Sequence, residues 1–339
     1  MNCPVKLNRS RIYGLVFAAM MTIPPSGIAA ETDDTGYLQG LLDANGVIPP
    51  GRYYFRSLQV NADHHVLRGS GRENTSLVQL PHSNRNAITC SGARYFAVEG
   101  LALDGNRAEQ TAGSGVELSG CPDFQIRNVL LTNIHGNGVT AQKGSPDGYF
   151  DNVEGVRIGY HLLSISESPR TRVGRLSGRE IASAVINLAF SPRSTLGQIV
   201  GQNATPNDSG YGGLKISNAS DDTVVDSVHM IGFSRALFIK DSSNVVIGHI
   251  RASNIGYQCI LIQAEAEGAR ADNNVILGGL LQDCGMLEPG YPGIHFTRQP
   301  GARSAAGNRV RGMEILDASG RLSRPWADEP RSNGNAVTP

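Results

Sequence analysis

One short pattern recurs through most of this chain: a small residue, then apolar, variable, apolar, variable. It reads Gly115-Val-Glu-Leu-Ser119, Gly138-Val-Thr-Ala-Gln142 and Gly213-Leu-Lys-Ile-Ser217, then Ala236-Leu-Phe-Ile-Lys240, Cys259-Ile-Leu-Ile-Gln263 and Gly293-Ile-His-Phe-Thr297. Weaker copies lie near Leu163 and Ala184, and successive starts stand about 21 to 28 residues apart, with one gap of 34. Between copies runs a second alternating stretch, as in Phe124–Leu130, Val245–Ile250 and Val275–Leu280. Alternation at period two marks a strand with one buried face. Short strands, Gly and Asn turns, a period near 23 and no helical segment between copies imply a parallel β-helix. A leucine-rich solenoid would keep Leu at fixed places in every unit, and a propeller would show a longer period. Eight to ten coils at about 4.8 Å each would build a rod of roughly 40 to 50 Å. Asn133-Ile134 and Asn254-Ile255 recur at the same distance before a strand, where Asn side chains can bond backbone groups of buried turns.

Composition narrows the function classes. Thirty basic residues balance thirty acidic ones, so no basic surface points to nucleic acid. High glycine (41) with 6% aromatics disfavours a helical bundle. The N-terminus has the order of a secretory signal over 1–30: Lys6, Arg9 and Arg11, an apolar run from Ile12 to Ile23, then small residues up to Ala29 and Ala30. About twelve apolar residues are too few to span a bilayer, so the expectation is cleavage after Ala29 or Ala30 and a periplasmic or secreted protein with no membrane span. Cys90, Cys121, Cys259 and Cys284 then remain. Three of them fall on core-facing positions, and their spacings match no zinc pattern, so buried free thiols are expected.

The stack needs end covers. Gly36 to Ala44 reads as a short amphipathic helix with Tyr37, Leu38, Leu41 and Leu42 on one side, ahead of a β-helix domain ending near 320. The polar segment 321–339, with the single Trp326, reads as a cap or a loose tail.

The stretches IPPGRYYF (48–55), VLRGSGRENTSLVQL (66–80) and FAVEGLALDGNR (96–107) resemble the opening coils of the pectate-lyase-like superfamily of right-handed parallel β-helices, in the branch holding polysaccharide lyases, alginate epimerases and phage tail-spike enzymes. The resemblance implies a single-domain, all-β right-handed parallel β-helix that binds a sugar polymer along the outward face of one sheet. It does not carry over a catalytic motif. Where epimerase-like members have Asp-Pro-His, the matching coil reads Thr140-Ala141-Gln142. Where the polygalacturonase branch has its Asp pair, the chain has Tyr257-Gln258. The Trp-Ile-Asp-His signature of plant-type pectate lyases is absent.

The pleat sorts the recurring strand. Val116, Leu118, Leu214, Ile216, Leu237, Ile239, Ile260 and Ile262 should point inward. One outward column holds Glu117, Thr140, Lys215, Phe238, Leu261 and His295, and the next holds Ser119, Gln142, Ser217, Lys240, Gln263 and Thr297. Beyond the signal the only lysines are Lys143, Lys215 and Lys240, all in this strand or the turn after it, which suits a cationic line for an anionic polymer. Tyr160, Tyr211, Tyr257 and Tyr291 each follow a Gly just before the strand, with Phe233 in the corresponding place of its own coil: an aromatic ladder that is either structural or a set of sugar platforms.

Uronate β-elimination needs charge neutralisation at the carboxylate, a base for the C5 proton and an acid for the leaving oxygen. Lys215, Arg235 and Lys240 could supply neutralisation or the base, and Tyr211 or Tyr257 the acid. Tyr160 with its neighbour His161 could also pass a proton, although His161 reads first as a turn residue. His295, in the outward column, is the better histidine candidate. Glu117, Gln142, Lys143, Lys240, Gln258 and Gln263 are candidates for substrate binding. Asp221 and Asp222 are candidates for Ca2+, although turn aspartates form turns without metal. The expected partner is an acidic polysaccharide or oligosaccharide, and a monomer and a trimer stay equally open. The expected activity is a polysaccharide lyase; a glycoside hydrolase or C5-epimerase of the same fold, and a non-catalytic carbohydrate-binding scaffold, are the rivals.

Overall fold

Alternation becomes strand after strand in the computed structural model, which describes residues 32–328 and 334–338. The segment read as a signal, 1–30, lies outside the described residues. Four-residue strands Val116–Ser119, Val139–Gln142, Leu163–Ser166, Ile186–Ala189, Leu214–Ser217 and Leu237–Lys240 pair side by side in parallel, followed by Ile260–Ala264 and Ile294–Arg298. Each strand is paired with the copy one coil away, so strand order follows chain order and the path is a solenoid. This sheet has eleven strands, from Leu58–Val60 to Trp326–Asp328, more rungs than the eight to ten read from the repeats. The additional rungs lie at the ends: Leu58–Val60 and Ile88–Ser91 keep the pattern, within Ser57-Leu-Gln-Val-Asn61 and Ala87-Ile-Thr-Cys-Ser91, whereas Trp326–Asp328 departs from it. A second sheet of sixteen strands holds the longer runs, among them Gln125–Ile134, Tyr149–Ile158 and Arg172–Ile181.

The residues assigned inward are buried without exception, and they join one continuous core with Phe124 and Phe150, whose rings meet edge to face at 5.2 Å. Each such side chain contributes about 2 kcal/mol of hydrophobic stabilisation. Buried turns satisfy their backbone with serine: the Ser168 N–H donates to Ser191 Oγ, Ser191 N–H to Ser220 Oγ and Ser220 N–H to Ser242 Oγ, at 3.0 to 3.1 Å. An asparagine ladder continues along the stack through Asn274, Asn308 and Asn335. The two junction asparagines do something else. Asn133 (φ 51°) and Asn254 (φ 53°) take the left-handed conformation that Asn tolerates. The predicted backbone bonding occurs in their column at Asn203, which bonds both the N–H and the C=O of Ile181.

The cysteine expectation is overturned. Cys90 is bonded to Cys121 and Cys259 to Cys284, with Cα separations of 6.5 and 5.5 Å. A core-facing position, on a strand for Cys90 and just before one for Cys259, lies beside a turn position of a later stretch of the stack, which linear spacing does not reveal.

The helix forms at Thr35–Asp43 with Leu38 and Leu42 buried over the first coils, whereas Tyr37 is half exposed. At the other end, residues read as a polar tail supply strands: Trp326–Asp328 pairs beside Ile294–Phe296, and Ala336–Thr338 beside Arg309–Arg311. No helix among the described residues is long and apolar enough to cross a membrane.

Candidate functional site

Register bears out the two columns on the face away from the core, although Phe238, Leu261, Ser217 and Thr297 within them are buried by their neighbours. Glu117, Thr140, Ser164, Asn187, Lys215, Phe238, Leu261 and His295 follow one another across the eight strands, and Lys240 stands beside Gln263 in the second column. Asn187 and Ser164 belong to the first column but went unread, because their strands carry weaker copies of the repeat.

Two of the lengthened coils shape the edge of this face around Lys215. Ile186 and Leu214 pair although 28 residues separate them, and Ile260 and Ile294 pair across 34. The extra residues include segment 203–213, with Asp208, Gly210 and Tyr211, and segment 283–293, with Glu288 and Tyr291. Insertions in a solenoid become loops on one face. Gly210 needs its left-handed φ of 71°, and its carbonyl accepts a 2.7 Å bond from Arg235 Nη1.

The tyrosine column differs from its sequence reading at Phe233. The hydrogen-bond ladder from Tyr160 passes Ser183, and that from Tyr257 passes Ser234, so Ser234 holds the place assigned to Phe233. Phe233, one residue earlier, is fully buried. The rings therefore form two pairs, Tyr160 with Tyr211 (6.0 Å) and Tyr257 with Tyr291 (5.6 Å), both edge to face. Arg235 lies at the break between them. Its guanidinium sits 5.4 Å from the Phe238 ring centre and 5.3 Å from that of Tyr257, and its Nε donates to Gln258 Oε1 at 3.1 Å. Nη2 is left without a hydrogen bond among the described residues. Burial lowers the proton affinity of this guanidinium, opposed by Tyr291, Tyr257 and Asp208.

Lys215 is the centre of the cluster. Its Nζ lies 4.1 Å from the Tyr211 ring centre and 5.3 Å from that of Phe238, with no carboxylate in ion-pair contact among the described residues. Lys240, by contrast, is paired with Glu265 at 3.0 Å. Burial, then the positive charge of Lys240, brings the Lys215 ammonium down to about 8. Tyr257 donates its phenol proton to Asp208 and is pushed up to about 12 mainly by that bond. Tyr160 is raised to about 12 by burial and by its bond with Tyr211.

His161 is packed between Tyr160 (3.9 Å) and Tyr211 (4.9 Å), almost wholly buried. Its Nδ1 accepts the Ala184 N–H at 3.2 Å, which places the neutral ring's proton on Nε2. Burial, with Lys215 nearby, pushes the imidazole down to about 3. An unfolded histidine binds its proton at about 6.5, so from pH 6.5 to 3 the unfolded state holds more protons and stability falls as pH falls. The expected loss is about 1.4 kcal/mol per pH unit in that window from this residue. His161→Asn, whose amide oxygen can still accept from Ala184, should flatten the acid limb of denaturation curves taken between pH 3 and 7.

The other expected residues separate. His295 stands three rungs from Lys215, about 14 Å along the sheet; its Nδ1 lies 3.5 Å from Gln258 Nε2, which ties it to Arg235 through that amide. Glu117 is four rungs away on the other side, about 19 Å, and is engaged by Asn86 and by Gln142 Nε2 at 3.1 Å. Lys143 is an exposed left-handed turn residue beyond Gln142. Asp221 Oδ1 accepts the Ser243 N–H at 2.7 Å and Asp222 Oδ1 the Asn244 amide at 3.1 Å, which is turn-forming work. No three His, Cys, Asp or Glu side chains gather as metal ligands among the described residues.

Parallel, in-register coils stacked in chain order define the right-handed parallel β-helix fold. Neither the family models nor the curated proteins match the sequence. Among solved structures, endo-xylogalacturonan hydrolase from Aspergillus tubingensis matches with a TM-score of 0.66 at 13% identity, covering 92% of this chain and 99% of that one. The A-module of the Azotobacter vinelandii mannuronan C-5 epimerase AlgE6 matches with 0.64 at 15%, covering 91% and 96%. An alginate lyase from Paenibacillus sp. str. FPU-7 matches with 0.53 at 13%, covering 90% and 97%. At these identities the likeness is one of fold.

Proposed function

We propose that this protein is an exported polysaccharide lyase that cleaves a uronate-containing polymer by β-elimination. The observation that carries the reading is Lys215: an outward-facing amine, half-buried between two aromatic rings and not ion-paired among the described residues, on the strand face flanked by the inserted loops. Fold does not imply activity, but the structural neighbours named above are a xylogalacturonan hydrolase, a mannuronan epimerase and an alginate lyase, and that supports the substrate class. The order basic, apolar, small at the N-terminus and the two disulfides support export to an oxidising compartment.

In this reading the neutral Lys215 amine takes the C5 proton of a bound uronate. The negative charge that develops on the carboxylate is met by Arg235 through Nη2, while Gly210 and Gln258 hold its other nitrogens. The C4–O4 bond then breaks, the electron pair left on C5 forms the C4=C5 double bond, and Tyr211 protonates the departing oxygen. Tyr257 is less suited to that step because Asp208 holds its proton. An amine that works as a base must be unprotonated. The rate on saturating polymer should therefore rise about tenfold per pH unit below 8 and level off above it. The check is ultraviolet absorbance from the new double bond, followed from pH 6 to 9 on alginate and on polygalacturonate, with and without EDTA. New reducing ends without absorbance would mean hydrolysis and overturn the elimination reading; absorbance abolished by EDTA would bring a metal into the mechanism.

A further inference from the structure

The strand face that carries Lys215 has a neighbour on its opposite edge. Just beyond the strands Ile186–Ala189, Leu214–Ser217 and Leu237–Lys240 lies a cavity of about 520 Å³, with Phe190, Asn218, Asp221, Asp241, Asn244 and Arg270 in its lining. Phe190, Asn218 and Asp241 are the first residues after their strands, and all three are left-handed, with φ of 50°, 55° and 51°. Lys143 and Glu167 occupy the same place in earlier coils with φ of 52° and 50°. Asn and Asp suit this conformation; a phenylalanine does not, and a bulky residue held there is an outlier that costs stability. Its ring is also half exposed rather than tucked into the core. The chain thus holds an aromatic face open to solvent, in a conformation it disfavours, in the lining of a cavity that is part apolar and part polar.

The polar lining is partly committed. Asp241 accepts the N–H groups of Glu265 and Ala266, Asp221 uses one oxygen on Ser243, and Asn244 gives its amide to Asp222. Asp221 Oδ2, the Asn244 side-chain carbonyl and the Arg270 guanidinium make no side-chain hydrogen bond among the described residues and keep capacity for a guest in the cavity they line. Two carboxylates against one arginine disfavour an anionic guest. An apolar ring face beside acceptors and donors suits a pyranose, which offers a C–H face and a rim of hydroxyls.

We propose that this cavity is a second sugar subsite that takes a neutral pyranose, stacked on Phe190, lateral to the residue over Lys215. At about 3.3 Å per residue, Asn218 lies roughly 10 Å beyond Lys215, off the line of the lysine column. A guest there is a side branch of the polymer rather than the reacting unit. From the lyase reading the proposal takes only that the ligand is a carbohydrate.

The test uses the full chain carrying Lys215→Met, so that no polymer is cut, run by affinity electrophoresis through gels cast with alginate, polygalacturonate or a branched galacturonan. Adding Phe190→Asn should weaken the apparent affinity for the branched galacturonan about tenfold or more, with a melting temperature unchanged or raised, because Asn accepts the left-handed turn. Phe190→Tyr should keep the affinity. Unchanged retardation in a folded Asn variant, or no retardation of the Lys215→Met protein by any of the three, would overturn the subsite. On otherwise wild-type protein, cleavage with a KM indifferent to Phe190→Asn would sink the subsite and leave the lyase reading standing. Retardation that depends on Phe190, with no ultraviolet product on any polymer, would do the reverse.

Discussion

Replacing Lys215 with methionine is expected to lower kcat by ~10³-fold, the usual range for loss of a positioned base, while the protein stays folded. Two effects on stability oppose each other. The native ammonium has its pKa lowered from 10.5 to about 8, so below pH 8 folding carries the full cost of half-burying a charge; the cost fades between 8 and 10.5 and is gone above that. Discounted for the solvent that still reaches the amine, removing it stabilises by about 1–2 kcal/mol at pH 7. Methionine also loses the cation–π contacts to Tyr211 and Phe238, worth about 0.5–2 kcal/mol. The terms nearly cancel, so the melting temperature at pH 7 should move by less than about 2 °C. A dead enzyme with an unchanged melt marks Lys215 as chemical. Retained activity would remove it from the mechanism, and a melt lowered by ten degrees would make it a structural residue.

Opening either disulfide should have the largest effect on stability. Cys90–Cys121 and Cys259–Cys284 close loops with sequence separations of 31 and 25. Loop-closure entropy in the unfolded chain then gives about 3.5 kcal/mol for each. Cys90→Ala with Cys121→Ala, and the corresponding pair at 259 and 284, should each lower the urea midpoint and raise the m-value slightly, because the unfolded chain without its crosslink exposes more surface, and reductant should reproduce the loss in the wild type. The second pair adds a local readout. Cys259 directly follows Gln258, which holds Arg235, and Cys284 lies in the loop that carries Glu288 and Tyr291. Loss of that bond should raise KM as well as lower stability, whereas loss of the first should act on stability alone. Equal effects on KM would detach the second disulfide from the site.

Much of this molecule is legible residue by residue. Alternation at period two told which side chains face inward, because a pleated strand has only two faces and one of them must leave water. The same rule aligned Lys215, Phe238, Leu261 and His295 in one column before any coordinate, and the register agrees. Alignment in a column is a weaker relation than contact, however. His295 shares the column of Lys215 yet stands three rungs off, because each coil advances the stack by a fixed step whatever its sequence. The tyrosine column slipped by one residue at Phe233 because an aromatic after a glycine looks the same whether it fills the core or lines a cleft. Ser234 decides it only through its ladder bonds.

Sequence alone determined the solenoid, its faces and the residue types on each rung, since those follow from local periodicity and the need to bury apolar side chains. Tertiary structure decided what depends on distance between coils. It paired cysteines that linear spacing had left apart, folded two long connections onto one edge of a sheet, and left one lysine between two rings while giving its neighbour a carboxylate. The strength of a charge depends on what surrounds it, and those surroundings come from other turns of the chain.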